Sequence, residues 1–254
     1  MFSVAYRQQV RTRVLECAAS DKRIVAGAVV GSLAYGEGDR WSDLDLTFAV
    51  SDNTLMGEVL EDWTKMLLME FEAGRLFDVS RGSSIYRVFL LPGCLQVDLS
   101  FTPAPDFGAL GPNFRLLFGT AVEKPHTALL SGEELMGYAV HHVLRARFCI
   151  ERDRNCQAEY WISAARDYAF SIACLRRDLP AEYGRGLDGL PSGLKQLLND
   201  ALVTSLDRKS LLRALARTID LLLQEGTHEI QAMSPGVEYR LRELAAPAFC
   251  AEIA

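Results

Sequence analysis

The sequence predicts an α+β protein, a small mixed-sheet domain followed by a helical bundle domain. About the first hundred residues alternate short β-branched or apolar runs with two segments of helical periodicity. A stretch carrying Pro103, Pro105, Pro112 and Pro125 then breaks the pattern, and beyond it helical spacing dominates. With 254 residues, 49% of them hydrophobic, the chain can fill one large core or two small ones, and the expected division is 1–125 and 126–254.

The elements follow in order. Ser3 to Ala19 has helical spacing, with Val10, Val14, Leu15 and Ala18 on one side and the arginines elsewhere. Ile24 to Val30 suits a buried strand ending at Gly31. After a loop with Gly36 and Gly38, Asp43 to Val50 reads as the next strand. Thr54 to Ala73 is a helical pattern, with Asp52 or Asn53 as its cap and Gly74 placed to stop it. Leu76–Val79, Ile85–Leu91 and Leu95–Phe101 are strand-like, with Pro92-Gly93 as a turn. Thr102 to Pro125 reads as a crossing segment. Ser131 and Glu134 form a capping box before a helix to about Ile150. Further helices are expected at Asn155–Arg177, Ser192–Leu202, Lys209–Gln224 and Glu238–Phe249.

Bulk properties exclude several classes. The formal charge of -6 argues against a groove that tracks long nucleic acid, which needs a basic face. Cys17, Cys94, Cys149, Cys156, Cys174 and Cys250 show no C-x-x-C pair, so zinc is not expected; they read as buried free thiols of a reducing cytoplasm. The amino terminus reads as an amphipathic helix and not a secretion signal. No run of about 18 apolar residues occurs, so no membrane span is expected and the location should be cytoplasmic.

The informative residues run from Gly31-Ser32 to Asp43-Leu44-Asp45. Side chains alternate along a strand, so Asp43 and Asp45 share a face while Leu44 and Leu46 enter the core. Paired carboxylates repel unless cations neutralise them, and oxygen ligands at this spacing suit Mg2+. Gly31 lets backbone amides approach a phosphate, Ser32 offers a hydroxyl, and a helix beginning there adds partial positive charge. Asp98 sits out of phase with Val97, Leu99 and Phe101, and with Asp43 and Asp45 would complete a trio for two cations.

An apolar strand, Gly-Ser, a spacer of about ten residues, Asp-x-Asp and a later strand acid together resemble the nucleotidyltransferase superfamily that includes DNA polymerase beta. The helical second half is similar in layout to the aminoglycoside and lincosamide nucleotidyltransferases. The resemblance implies an enzyme that uses ATP and two Mg2+ ions. It would transfer AMP to a hydroxyl of a small molecule, an aminoglycoside-type antibiotic, and release pyrophosphate, conferring antibiotic resistance. Asp43, Asp45 and Asp98 would be catalytic metal ligands, and Gly31 and Ser32 would hold the triphosphate. Nucleotidylation of a protein or transfer RNA, or an inactive nucleotide-binding module, are the alternatives.

Other residues are open. Tyr35 and Arg40 lie in the loop and could face nucleotide or solvent; Glu134 and Glu159 are candidate bases. Arg166 could reach a phosphate or form a salt bridge, and Asp78 and Asp106 are unassigned. His141 and His142 are adjacent on a helix and so cannot share a face for one metal. Tyr160, Trp161, Tyr168 and Phe170 read as core.

Overall fold

The computed structural model describes residues 1–36, 38–52, 54–125 and 129–246. The chain divides into two compact units, Met1–Ala128 and Leu129–Ala254. Asn53, Cys250 and the expected end of the last helix at Phe249 lie outside the described residues.

The first unit is a six-stranded mixed sheet with helices on one face. α1 (Val4–Ser20) starts where the Ser3 hydroxyl accepts the Tyr6 N–H. β1 (Ile24–Val30) pairs antiparallel with β2 (Leu44–Val50). α2 (Met56–Phe71) crosses to an antiparallel meander, β3 (Gly74–Arg81), β4 (Ser84–Leu91) and β5 (Leu95–Pro103). This crossover returns β5 parallel to β2. A sixth strand, β6 (Phe114–Phe118), pairs with β1, giving the order β3-β4-β5-β2-β1-β6.

The helix face of this sheet holds the core. Leu44, Leu46, Phe48 and Val50 meet Leu95, Val97, Leu99 and Phe101 there, all buried. Trp63 of α2 packs on Phe48 and Phe101 at ring separations of 4.9 and 5.2 Å. Its indole N–H donates to Asp21, which ends α1, so two helices and two strands meet at one residue. Arg87 is buried on the same face; its guanidinium donates to both oxygens of Asp78 and to Thr64 and the Leu60 carbonyl. A buried arginine needs this full set of partners, and Asp78 thereby has a structural role.

Four local expectations need correction. The segment 102–125 is not wholly irregular, because Phe114-Arg-Leu-Leu-Phe118 forms the edge strand β6 between its prolines and glycines. α2 begins after Leu55 without a side-chain cap, so Asp52 does not cap it. The left-handed residue that ends α2 is Glu72 (φ 53°), and Gly74 instead opens β3. Among the described cysteines, all free, only Cys149 and Cys174 are buried, while Cys94 and Cys156 are exposed.

The second unit is helical: α3 (Gly132–Glu151), α4 (Asn155–Leu175), α5 (Ser192–Asp200), α6 (Arg208–Glu225), α7 (Thr227–Ala232) and α8 (Val237–Ala245). α7 has no counterpart among the expected helices. The Ser131–Glu134 capping box forms in both directions. That engagement holds the Glu134 carboxyl below its usual range and makes it a helix cap, not a base. α3, α4 and α6 enclose the core through residues such as Val143, Ile150, Ile162, Phe170, Leu215 and Leu222. Arg147 is fully buried, paired with Glu151 at 2.7 Å and donating to the Leu244 and Ala246 carbonyls. No helix among the described residues is long and apolar enough to cross a membrane.

Asp21 offers a stability test. Hydrogen bonds from Arg23 and Trp63 hold its carboxyl down at about 2, from an ordinary value of 3.8. A depressed folded-state pKa stabilises the fold above the unfolded value, and the benefit is lost as pH falls through the folded one. Asp21→Asn should therefore cost about 1–2 kcal/mol at neutral pH, allowing for solvent screening. In urea melts the gap between parent and variant should shrink as pH drops from about 4 to about 2; a gap that persists unchanged would rule out this linkage.

Candidate metal centre

The three acids converge. Asp45 lies on β2 and Asp98 on β5, and the parallel register sets them directly opposite each other. Leu44, Leu46, Val97 and Leu99, their chain neighbours, are buried on the helix side, so both carboxylates emerge on the other face. Asp43 ends the loop before β2 and reaches the same place. One carboxylate oxygen from each residue lies within 4.8 Å of the other two. All three are half-buried.

Such closeness is costly without a cation. At 4.8 Å two ionised oxygens repel by about 1–3 kcal/mol, between water-like and protein-like screening. Asp98 registers the strain: burial, then the charge of Asp43, pushes its carboxyl above the ordinary value. Gln96 works against this, its amide donating to both Asp98 oxygens at 3.0 and 3.2 Å. A clustered all-oxygen donor set of this kind fits Mg2+ chemically, and a divalent charge would relieve the repulsion.

Gly31 and Ser32 stand beside the acids in a single 3-10 turn, Gly31–Leu33. This turn is too short to add much helix-dipole charge. The need for glycine is steric twice over: Gly31 has φ +69°, and a Cβ there would lie 2.3 Å from Asp45 Oδ2. Its N–H donates to the Asn113 carbonyl at 3.2 Å, which anchors the turn. The Ser32 hydroxyl makes no hydrogen bond to a described residue. Tyr35 donates its phenol to the Phe114 carbonyl at 2.8 Å, and Arg40 stacks over Trp41 at 4.2 Å. Along the same sheet face, a cavity of about 300 Å³ runs from Val30, Asp45 and Asp98 to Phe77, Val79 and Tyr86.

Several supporting residues escaped the sequence reading. Arg7 is buried in α1, not on its solvent side, and donates to the Asp39 and Ser42 carbonyls at 2.8 and 2.5 Å. It therefore clamps the turn that delivers Asp43. Asp39 tightens the turn by accepting from the Trp41 N–H and the Ser42 hydroxyl. The signal for Arg7 was present, since 7, 10, 14 and 18 form one helical stripe and all four are buried. Asn113 and β6 carried a weaker signal among prolines.

Four further candidates, Glu159, Arg166, His141 and His142, belong to the second unit. Glu159 accepts the Ser163 hydroxyl, and Arg166 makes only a 3.4 Å contact with Asp167. His141 accepts from Arg145, and His142 packs on Trp161 and Tyr168.

No family model matches the chain, and no curated protein matches it. Among solved structures it is similar to an aminoglycoside 6-adenyltransferase from Bacillus subtilis, with a TM-score of 0.43 and 12% identity over 96% of this chain and 99% of that one. What the site can do follows from its own residues.

Two substitutions test the geometry directly. Gly31→Ala should leave the chain folded but displace Asp45, lowering Mn2+ affinity about tenfold or more in a binding titration. Arg7→Met should weaken Mn2+ binding similarly by freeing the Asp43 turn, and Arg7→Lys should restore part of it. Parent-like affinity in both Gly31→Ala and Arg7→Met would mean the acids are not held for a cation.

Proposed function

We propose that the chain is a Mg2+-dependent nucleotidyltransferase that moves AMP from ATP to a hydroxyl of a small molecule. The observation that carries this reading is the convergence of Asp43, Asp45 and Asp98 oxygens within 4.8 Å, beside Gly31-Ser32. In the reaction the acceptor oxygen bonds to the α-phosphorus, the bond from that phosphorus to the bridging oxygen breaks, and pyrophosphate leaves. The acceptor proton passes to a carboxylate or to solvent. Two Mg2+ ions, when bound, would neutralise phosphate charge and lower the acceptor hydroxyl's pKa.

The chain's own groups divide the work. Asp43, Asp45 and Asp98 would hold the ions, and Asp98 or another carboxylate would take the acceptor's proton. Ser32 contributes its hydroxyl to a phosphate oxygen, while Gly31 keeps the backbone close enough for the phosphate to approach. The cavity along Phe77, Val79 and Tyr86 offers apolar walls for a ring next to the acids.

Residues 1–125 would act as the catalytic domain and 126–254 as the acceptor-binding domain. An aminoglycoside-type acceptor is the class that the resemblance to the antibiotic nucleotidyltransferases implies. The carboxylates of the trio argue against the inactive-module alternative, because a site without metal would keep their repulsion for no benefit.

Incubation with labelled ATP, Mg2+ and a panel of aminoglycosides and lincosamides should release pyrophosphate, and EDTA should stop it. Asp45→Asn should lose turnover by at least about a thousandfold while unfolding as cooperatively as the parent. Full turnover in that variant defeats the mechanism; ATP binding indifferent to Mg2+ favours the inactive module.

A further inference from the structure

The cavity of about 300 Å³ beside the acids extends to one side of them. In the sheet, β1 flanks β2 on one side, and β4 and then β3 follow β5 on the other. In-line displacement puts the attacking hydroxyl opposite the departing pyrophosphate. With the triphosphate at the Gly31–Leu33 turn, which follows β1, the attacking hydroxyl comes from the side of β4 and β3. The cavity runs that way, through Val88 and Tyr86 to Phe77 and Val79, and every residue lining it belongs to the first unit.

Strand register lays out the floor. Asp98, Val88 and Phe77 stand opposite one another across β5, β4 and β3, and form the row next to the metal ligands. Ser100, two residues beyond Asp98 and so on its face, begins a second row with Tyr86 and Val79. Phe77 is 53% exposed, an apolar ring displayed on the edge strand beside a charged site. Ser100 is 4% exposed, borders the cavity, and makes no hydrogen bond to a described residue. A buried hydroxyl left unpaired is costly, and a ligand atom that accepts from it recovers that loss.

A cation stands at the far rim. Arg81 closes the cavity beyond Tyr86, its guanidinium 6.0 Å from the centre of that ring. Arg75 and Arg87, on the same two outer strands, are both paired with Asp78. Arg81 has no ion pair or hydrogen bond with a described residue. Among the described residues, no acid other than Asp45 and Asp98 lines the cavity. Away from the metal end, the lining therefore offers flat apolar walls, the hydroxyls of Ser100 and Tyr86, and one guanidinium. Such a guanidinium pairs with a carboxylate or a phosphate through parallel N–H bonds and repels an ammonium group.

We infer that this cavity takes a small hydroxylated molecule with a flat apolar body and an anionic group, a carboxylate or a phosphate ester, at its far end. Arg81 holds the anion, Ser100 donates to an oxygen of the ligand, and Phe77, Val79 and Val88 cover the body, which leaves the hydroxyl at the acids. The ligand's role as acceptor rests on the nucleotidyl-transfer reading, and its charge departs from the polyamines that the family resemblance implies.

Four benzyl alcohols share one body and differ at the para position: carboxylate, phosphate ester, hydroxymethyl and aminomethyl. Each is titrated calorimetrically into the full chain with Mg2+ and α,β-methylene ATP, in which the bond to be broken is blocked. The carboxylate or the phosphate ester should bind at least about tenfold tighter than the diol, and the tighter of the two identifies the anionic group. The aminomethyl compound should bind no tighter than the diol. Arg81→Gln should remove the anion's advantage, and Ser100→Ala should weaken the anion about three- to tenfold, both with circular dichroism unchanged. Equal binding of anion and diol, tightest binding of the ammonium, an anion preference intact in Arg81→Gln, or parent-like affinity in Ser100→Ala would each overturn the inference. With ATP in place of the analogue, anion preference without pyrophosphate release defeats the transfer reading and leaves the ligand class standing. Faster release with the aminomethyl compound than with either anion defeats the ligand class and leaves transfer standing.

Discussion

The parallel pairing of β2 with β5 governs the first unit, because it alone places Asp45 beside Asp98. Alternation along each strand then sends both carboxylates to the face opposite the helices. A shift of one residue in that pairing would turn the acids into the core and the leucines outward, which the buried face forbids. The apolar contacts of Phe48, Trp63 and Phe101 therefore do two things at once. They drive the sheet against α2, and they fix the register that brings like charges together. Stability is gathered on one face and electrostatic strain on the other.

The loop residues of the site depend on partners far away in sequence. Asp43 is delivered by a turn whose carbonyls are held by Arg7 from α1. The Gly31 turn is held by the Asn113 carbonyl, and Tyr35 by the carbonyl of Phe114 on β6. Both ends of the loop between β1 and β2 are thus tied to separate elements, α1 on one side and the edge strand on the other. Side chains that must converge on one point are best held by supports whose own positions are locked by packing. The buried stripe of α1 and the pairing of β6 with β1 supply that locking here.

The helical unit distributes polar and aromatic groups differently. Its buried charges are structural: Arg147 with Glu151, and Arg177 with Glu225 at 2.7 Å, each tying helices that are distant in sequence or closing a helix end. Its aromatic residues, by contrast, are displayed. Phe170 enters the core, but Tyr160 and Tyr183 remain in solvent around a recess with carboxylates and no lining lysine or arginine among the described residues. Acids in the first unit converge and repel one another, whereas Asp167 and Glu182 in the second lie beside exposed tyrosine rings.

Local sequence determined much of this protein. Periodicity located both strands that carry the acids, the Ser131 capping box and most helices, because these features depend on neighbours within a few residues. The alternation around Asp45 and Asp98 foretold which face each would take. Tertiary structure decided the rest: the buried place of Arg7, the use of Gly31 N–H by Asn113, the left-handed stop at Glu72, and the pairing that makes 114–118 a strand. An edge strand of five residues gains its hydrogen bonds only from β1, and a buried arginine is tolerated only where distant carbonyls meet it. Such partners are long-range by nature, so the chain encodes them without displaying them in any local pattern.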